Sequence, residues 1–287
     1  MNKRQKKRIL EEKKNLKIHP YHRLFSFFFQ LYLNTKEWIL LRYNRIQNKD
    51  VNFFNDPLIT IYTPTFNRAN ILKSRAIKSV LKQTYKNFEY IIVSDGSSDN
   101  TEQIVKSFKD KRIRFFKIKR KILYKKNIEN LWFAGPVRPN NYALKKTNGK
   151  WLAKIDDDVV WHKDHLKRSL KFCKKRNLEF MTSASKAIRF KKEVPAKPYK
   201  INNCFMGGSN TFFYKSYLKF FKFNIHCWKK SINRVNDIDL FDRISKVGAK
   251  IGYSKKINNY IYPRPNEQTI GFDQLILKKK EYEKKYF

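Results

Sequence analysis

The sequence predicts an α/β fold, in which helices flank a mostly parallel sheet and a helical extension precedes it. Short apolar runs, which are typical of buried strands, alternate with segments of helical periodicity. Turn residues such as Thr-Pro and Asp-Gly end these runs. With 287 residues, of which 41% are hydrophobic, the chain is long enough to bury the core of one large domain or two small ones.

The first half of the chain carries the clearest alternation. The predicted strands in this half are residues 58–62, 88–93, 114–118 and 151–155. The predicted helices are residues 69–84, residues 99–108, which begin with a capping-box pattern, and about 140–146. In such sheets, ligands bind beyond the carboxyl ends of the strands. We therefore expect three loops to share one edge: 64–68, 95–96 and 156–158.

The second half follows a weaker pattern. Helices are predicted at residues 164–173 and 237–247, and strands at 180–183 and 211–214. A turn-rich connector at 204–209 is a place where backbone could approach a ligand. After a loop that includes Pro265, a basic helix is predicted at the C-terminus.

Residues 1–56 predict a basic and aromatic helical extension. Residues 1–20 are highly charged, while residues 21–46 mix phenylalanine, leucine and tryptophan with basic side chains. The longest apolar stretch is far shorter than the ~20 residues that span a bilayer. Two arrangements stay open for this segment: a helix that lies in a membrane interface, and a helix that packs on the main domain.

The chain is strongly basic, with 65 Lys and Arg against 24 Asp and Glu, and a formal net charge of +41. Such a charge suits nucleic acid, an anionic membrane surface or an acidic polymer. However, the basic residues are spread over the whole length, and neither zinc-finger spacing nor an RNA-binding aromatic signature is present. We therefore favour a general compositional bias and expect no specific nucleic-acid partner.

The three cysteines, Cys173, Cys204 and Cys227, are odd in number and widely separated, which indicates free or buried thiols in a reducing compartment. No cleavable signal peptide is apparent, because the basic start is long and no small-residue cleavage site follows an apolar core. These features predict a cytoplasmic protein, and the N-terminal extension adds peripheral attachment to the inner membrane face as a hypothesis.

Three consecutive carboxylates, Asp156, Asp157 and Asp158, close the apolar run at 151–155. Like charges this close repel, so the fold must neutralise them with water, basic groups or a cation. If the backbone is extended, Asp156 and Asp158 point to one side and Asp157 to the other. Two carboxylates on one face suit Mg²⁺ or Mn²⁺ that carries phosphate oxygens. The alternative is a solvated acidic turn.

An ordered series of motifs resembles family 2 glycosyltransferases, which are nucleotide-sugar enzymes of the GT-A (Rossmann-like) fold. The segments that carry the resemblance are Ile59–Arg68, Ser79–Tyr85, Ile91–Thr101, Asn141, Gly149, Asp156–Asp158 and Asn236-Asp237. Any one motif alone would be weak, whereas the series is specific. The resemblance covers about residues 57–270. It implies a nucleotide-binding half (57–160), an acceptor half (161–270) and a basic C-terminal tail (271–287).

The resemblance also implies roles for single residues. The expected nucleotide-binding residues are Pro64, Thr65, Phe66, Asn67, Arg68, Asp95, Asn141 and Asp156. Asp95 would accept a hydrogen bond from the base, and Asp156 and Asp158 would bind Mn²⁺ or Mg²⁺ at the diphosphate. Asp157 is similar to the variable middle residue of the motif.

Asp237 aligns with the catalytic base, which takes a proton from the acceptor hydroxyl. A structural alternative is that Asp237 is the N-cap of the helix that follows. Capping would lower the pKa of this carboxyl, whereas burial or a nearby diphosphate would raise it. Asp239 is the fallback base, and Asp242 is expected to pair with Arg243 at the surface.

The chain departs from the family pattern at three places. Ser94 stands where an Asp is common, and Asn140 stands where an Arg is common, although Arg138 lies nearby. Arg264–Glu267 occupy the region where many members carry a His close to the metal. The histidines His162, His165 and His226 lack ligand spacing and are expected to be surface or packing groups.

The predicted function is that of an inverting glycosyltransferase. It would move a sugar from a nucleoside diphosphate, UDP in the first instance, to a glycan or lipid-linked acceptor in cell-surface polysaccharide or lipopolysaccharide synthesis. The alternative, motivated by the departures, is a catalytically inactive protein of the same fold that binds an anionic polymer or membrane surface. Binding to nucleic acid without binding to UDP would favour a third reading that rests on charge alone.

Overall fold

A mixed nine-stranded sheet forms the centre of the fold in the computed structural model, which describes residues 20–48, 56–229, 232 and 234–286. Predictions for residues 1–19 lie outside the described residues. The strands in chain order are β1 (Ile59–Thr65), β2 (Phe88–Ser94), β3 (Ile113–Lys117), β4 (Trp151–Lys154), β5 (Val159–Trp161), β6 (Phe180–Arg189), β7 (Lys192–Pro195), β8 (Tyr199–Ile201), β9 (Cys204–Met206), β10 (Phe213–Lys215) and β11 (Ile251–Ile261). The strands β8 and β9 pair with each other in a separate two-stranded sheet.

Helices precede, flank and follow this sheet. They are α1 (Pro20–Gln47), α2 (Ala69–Leu72, continued by a π-helical turn at Lys73–Ile77 and by Lys78–Leu81), α3 (Thr101–Lys106), α4 (Ile128–Ala134), α5 (Val137–Lys145), α6 (His165–Lys175), α7 (Asn236–Lys246), α8 (Gly271–Leu277) and α9 (Lys279–Tyr286). Short 3₁₀ turns at Ser209–Thr211 and Ser216–Phe220 flank β10.

The strand order is β3-β2-β1-β4-β10-β6-β11-β5, with β7 paired to β6. The first four strands of this order are mutually parallel. From β10 onward the sheet is mixed, because β10 runs antiparallel to both β4 and β6, and β5 runs antiparallel to β11. The expectation of a mostly parallel sheet therefore describes the first half well and the second half only in part.

Both faces of the parallel strands β1, β2 and β4 are buried, and alternate residues enter different cores. Tyr62 and Ile91 belong to one core cluster, while Ile61 and Ile92 belong to the cluster on the opposite face. This alternation follows from the two-residue period of a strand. Burial on both faces explains why these strands are continuous apolar runs in the sequence.

A close approach of the chain to β1 requires glycine at position 149, just before β4. A Cβ atom on Gly149 would lie 2.5 Å from the backbone nitrogen of Thr60. The amide of Gly149 donates a 2.8 Å hydrogen bond to the hydroxyl of Thr60, which in turn donates to Glu89 on β2. This contact sets the start of β4 and hence the position of the acidic triplet at its end.

One predicted detail is wrong in the first half. Asp99 and Glu102 do not form a capping box, since Glu102 pairs with Lys106 instead. The carboxylate of Asp99 accepts a 3.0 Å hydrogen bond from the backbone of Ala69 at the start of α2, and a 3.2 Å bond from the backbone of Thr101. One side chain thus orders the starts of two helices.

The helix α1 packs on the main domain along one face, which is one of the two arrangements left open by the sequence. Leu41 is buried in the core, Glu37 pairs with Arg243, and Arg45 donates two 2.6 Å hydrogen bonds to Glu179. These contacts fix one face of α1 on the domain. The large apolar side chains on its other side are exposed: Leu24, Phe27, Phe28, Leu31, Tyr32, Trp38, Ile39, Tyr43 and Ile46. Within the described residues, no helix combines the length and the hydropathy needed to cross a bilayer.

Candidate functional site

A cavity of about 830 Å³ opens at the carboxyl edge of β1, β2 and β4. Its volume is within the range of small-molecule sites, roughly 300–1,000 Å³. The loops that follow these strands meet there as expected, because β1 pairs in parallel with both β2 and β4. The cavity brings together three carboxylates from separate elements: Asp95, Asp156 and Asp237.

Asp95 lies just beyond β2 and is only 6% exposed. Its Oδ2 accepts a 3.1 Å hydrogen bond from Arg120, and Arg138 lies 3.6 Å from Oδ1. Burial raises the pKa of Asp95, and the two arginines offset part of that rise. Its Oδ1 atom is buried and has no hydrogen-bond partner among the described residues. An acceptor left without a donor in this way is suited to a ligand N–H group.

The end of β1 and the loop that follows it contribute four of their five predicted residues to the cavity lining: Pro64, Thr65, Phe66 and Arg68. The guanidinium of Arg120 covers the ring of Phe66 at 3.8 Å. Asn67 differs, because its side chain accepts a 2.8 Å hydrogen bond from the backbone of Ser98. Its backbone φ of 49° lies in the left-handed region, which asparagine tolerates. Asn67 therefore shapes the loop and lies outside the cavity lining.

The acidic triplet does not continue β4 as an extended strand. The chain turns at Asp157 and Asp158 before it enters β5, so the expected alternation of the three side chains is wrong. Asp157, expected to be the variable middle residue, is the most buried of the three at 2% exposed. It accepts 2.9 Å hydrogen bonds from the Thr65 hydroxyl and from Arg68. Asp157 thus ties the end of β4 to the loop after β1.

Asp156 and Asp158 also have basic partners, so the triplet is not a solvated turn. Lys154 donates to Asp156, and Arg264 donates two hydrogen bonds to Oδ2 of Asp158, at 3.0 and 2.9 Å. Burial raises the pKa of Asp158, but the opposing effect of Arg264 and Arg68 is larger. The pKa of this carboxyl therefore lies below its usual value. This carboxylate stays ionised through its ion pairs.

Lys154 was not predicted as a site residue. Its side chain is 3% exposed, and its amine also lies 3.2 Å from the hydroxyl of Ser209, another residue of the cavity wall. The sequence carried a signal, because lysine within an apolar strand is seldom fully buried without a partner. Arg120 and Tyr286 were missed as well; they come from a loop and from the end of α9, where local patterns say nothing about distant contacts.

Asp237 lies in the first turn of α7 and lines the cavity. It is not the N-cap, since the helix begins at Asn236 and Val235 occupies the cap position. Burial raises the pKa of Asp237; Lys154 opposes this rise and Asp156 adds to it. A raised pKa suits a carboxylate that must accept a proton.

The neighbouring acids of α7 have structural partners. Asp239 is buried and accepts a 3.0 Å hydrogen bond from Arg243. It does not line the cavity. The prediction that Asp242 pairs with Arg243 at the surface is wrong. Asp242 is buried and pairs with Arg234 and Lys246 instead.

Asn141 lies outside the cavity lining. Both its amide nitrogen and its carbonyl oxygen bond the backbone of Phe223, at 2.8 and 2.9 Å. Ser94 binds Ser97 at 2.9 Å and so supports the Asp95 loop from within. His165 stacks on Trp161 at 4.0 Å, and burial lowers the pKa of this imidazole to about 3, so it is a neutral packing group.

The carboxylates do not fit the predicted divalent metal in this arrangement. Each member of the triplet already accepts hydrogen bonds from a basic side chain. Across residues 20–48, 56–229 and 234–286, no group of three or more His, Cys, Asp or Glu side chains is arranged to hold a metal ion. Asp156 and Asp158 as metal ligands therefore remain a sequence prediction that this geometry does not support.

Comparisons with known proteins point to one family. The sequence profile of Glycosyl transferase family 2 matches residues 60–243. An uncharacterized glycosyltransferase of Rickettsia conorii is 39% identical over 127 residues, which are 44% of this chain and 19% of that protein. The Escherichia coli enzyme WfgD, a UDP-Glc:alpha-D-GlcNAc-diphosphoundecaprenol beta-1,3-glucosyltransferase, is 34% identical over 127 residues, 44% of this chain and 45% of WfgD. Both matches span less than half of the relative.

Two solved structures share the fold. TarS residues 1–349 of S. aureus, in complex with UDP-GlcNAc, superpose with a TM-score of 0.57 at 20% identity, over 73% of this chain and 60% of that one. The mannosyltransferase PcManGT of Pyrobaculum calidifontis, in complex with GDP-Man and Mn²⁺, gives a TM-score of 0.54 at 14% identity, over 84% of this chain and 67% of that one. The α/β fold class predicted from the sequence is therefore confirmed.

Proposed function

Because the chain belongs to glycosyltransferase family 2, we propose that it moves a sugar from UDP to a hydroxyl group of a glycan or lipid-linked acceptor, with inversion at the anomeric carbon. The fold is the GT-A fold that the resemblance implied. The observation that carries the proposal is the shared cavity of Asp95, Asp156 and Asp237, which come from three separate elements.

The proposed donor site uses the half of the cavity built by β1, β2 and β4. The unpartnered Oδ1 of Asp95 would accept the N–H of a uracil ring. Thr65 and Arg68 line the same wall, next to the triplet. The name of WfgD specifies UDP-Glc as its donor, and TarS, which shares the fold, is bound to UDP-GlcNAc; both support UDP as the donor nucleotide here.

The proposed reaction is a single displacement. The acceptor hydroxyl oxygen forms a bond to the anomeric carbon, and its proton passes to the carboxylate of Asp237. The bond between that carbon and the β-phosphate oxygen breaks, and UDP leaves with the electron pair. Attack from the face opposite the leaving group inverts the configuration. The raised pKa of Asp237 supports its role as the proton acceptor.

Asp95→Asn should weaken UDP binding by about tenfold to a hundredfold, because hydrogen bonds to a charged group contribute roughly 1.5–3 kcal/mol. Isothermal titration of UDP into the full chain measures this change. Asp110→Asn is the matched control, since Asp110 pairs with Arg112 away from the cavity. Equal UDP affinity for all three proteins would remove Asp95 from the donor site.

The proposed function also includes binding of α1 to a membrane surface that carries the acceptor. The exposed apolar side chains of α1 recur at helical spacing, as at Phe27, Leu31 and Trp38. Arg42, one turn beyond Trp38, lies over its indole ring at 4.0 Å. An amphipathic helix on a chain with a net charge of +41 is complementary to anionic lipid. This placement would bring the cavity to lipid-linked acceptors, the class that the name of WfgD specifies for that enzyme.

The triple variant Phe27→Ser, Leu31→Ser, Trp38→Ser should lower binding to vesicles of phosphatidylglycerol and phosphatidylcholine by at least about tenfold. Each large apolar side chain that enters the bilayer contributes on the order of 1 kcal/mol to binding. Vesicle sedimentation measures the bound fraction. Leu123→Ser, at an exposed leucine outside α1, is the control. If the unmodified chain stays in the supernatant with these vesicles, the membrane proposal is wrong.

A further inference from the structure

The loop that follows β11 delivers an arginine to the acidic triplet. The Nε and Nη2 atoms of Arg264 both donate to Oδ2 of Asp158. The side chains are 20% and 19% exposed, so bulk water has limited access to this pair. A bound Mg²⁺ or Mn²⁺ would need to approach the same carboxylate to about 2 Å. The guanidinium therefore stands where a cation bound to Asp158 would stand.

The position of Arg264 is fixed by its neighbours. Arg75, from the π-helical turn of α2, donates hydrogen bonds to the carbonyl oxygens of Tyr262 at 2.9 Å and Pro263 at 2.5 Å. The same guanidinium donates to the carbonyl oxygen of Asp158 at 3.1 Å. One side chain thus clamps the backbone on both sides of the ion pair. These contacts fix the backbone from which the side chain of Arg264 reaches Asp158.

The charges around the cavity balance without an added cation. Asp156, Asp157 and Asp158 each have their own basic partner. Over the whole lining, six basic side chains face six acidic ones. Without Arg264 the lining would carry an excess of carboxylates beside the diphosphate. The charge of Arg264 is therefore part of this balance.

We infer that Arg264 takes the place of a divalent cation at Asp158, so that the diphosphate of the donor binds beside this ion pair without a metal ion. This inference rests on the proposed function and concerns how its site meets the charge of the donor. Asp158 accepts hydrogen bonds from both Nε and Nη2 of Arg264, so the arginine acts on the diphosphate through its positive charge. Removing Arg264 would free Asp158 and create a site that depends on a metal ion.

The test is isothermal titration of UDP into the full chain, once with EDTA and once with Mn²⁺. For the unmodified chain, the two dissociation constants for UDP should agree within about threefold, because removing the metal ion with EDTA removes no contact to UDP. For Arg264→Gln, binding in EDTA should weaken by about tenfold or more, as expected for the loss of a charge-assisted contact. Mn²⁺ should then restore most of that loss, a gain that a merely structural defect would not produce.

Arg112→Gln is the matched control, because it removes a surface arginine that is also paired with an aspartate. Arg264→Lys is the second variant: it keeps the charge and should keep binding in EDTA, so the inference stays testable if Arg264→Gln fails to fold. UDP binding by the unmodified chain only with Mn²⁺ would overturn the inference and leave the proposed function standing. No UDP binding in either buffer would overturn both.

Discussion

Asp237→Asn should lower sugar transfer by about 10²- to 10⁴-fold, the usual contribution of a general base. The amide keeps the shape of the side chain but cannot take the proton of the acceptor hydroxyl. Hydrolysis of a UDP-sugar, in which water is the acceptor, provides the assay through the release of UDP. The loss should appear in kcat, while UDP binding stays within about threefold because the proposed nucleotide contacts lie elsewhere in the cavity.

The pH dependence gives a second readout for the same residue. Asp237 must be ionised to act as a base, and its pKa is raised above the usual value by burial. The rate should therefore fall as the pH is lowered through this raised pKa, and the acid limb of the profile should disappear in Asp237→Asn. A variant that kept the rate and the acid limb of the unmodified chain would exclude Asp237 as the base.

The meeting of Asp95 and Asp156 was predictable from the sequence. Both residues follow strands of the parallel half, and parallel neighbours place their carboxyl ends at one edge. Asp237 comes from a helix far along the chain, and only the family resemblance linked it to the others. Local patterns were sufficient to predict those strands that are buried on both faces, because such strands are apolar runs in the sequence.

Other features could not be read from local patterns. The strand β11 was not predicted, because it contains polar residues such as Asn258 and Asn259 that are buried in the structure. Arg264, the partner of Asp158, lies in the loop after that strand, so its contact with Asp158 was not predicted either. The sequence left open whether the triplet is extended or a turn, because three equal side chains carry no signal of direction; their partners, Arg68 among them, decide it.

Those partners make Asp157 the residue of the triplet with the largest expected effect on stability. Asp157→Ala removes the carboxylate that accepts a hydrogen bond from Arg68 and is 3% exposed, and leaves this guanidinium only the more distant carboxylate of Asp158, at 3.9 Å. Breaking a buried ion pair from one side typically costs about 3–5 kcal/mol of unfolding free energy, because the remaining charge stays desolvated. Urea unfolding of the full chain, followed by circular dichroism, measures the difference.

The broken ion pair between Arg68 and Asp157, rather than the space left by the truncated side chain, should account for this loss of unfolding free energy. Adding Arg68→Met to Asp157→Ala removes the stranded charge, so the double variant should recover at least about 1 kcal/mol relative to Asp157→Ala alone. Asp273→Ala breaks the more exposed pair with Arg189 and should cost no more than about 1 kcal/mol. If the double variant were less stable than Asp157→Ala by the full cost of a second substitution, the two side chains would act independently. The buried ion pair would then not be what holds the loop after β1 against the acidic triplet.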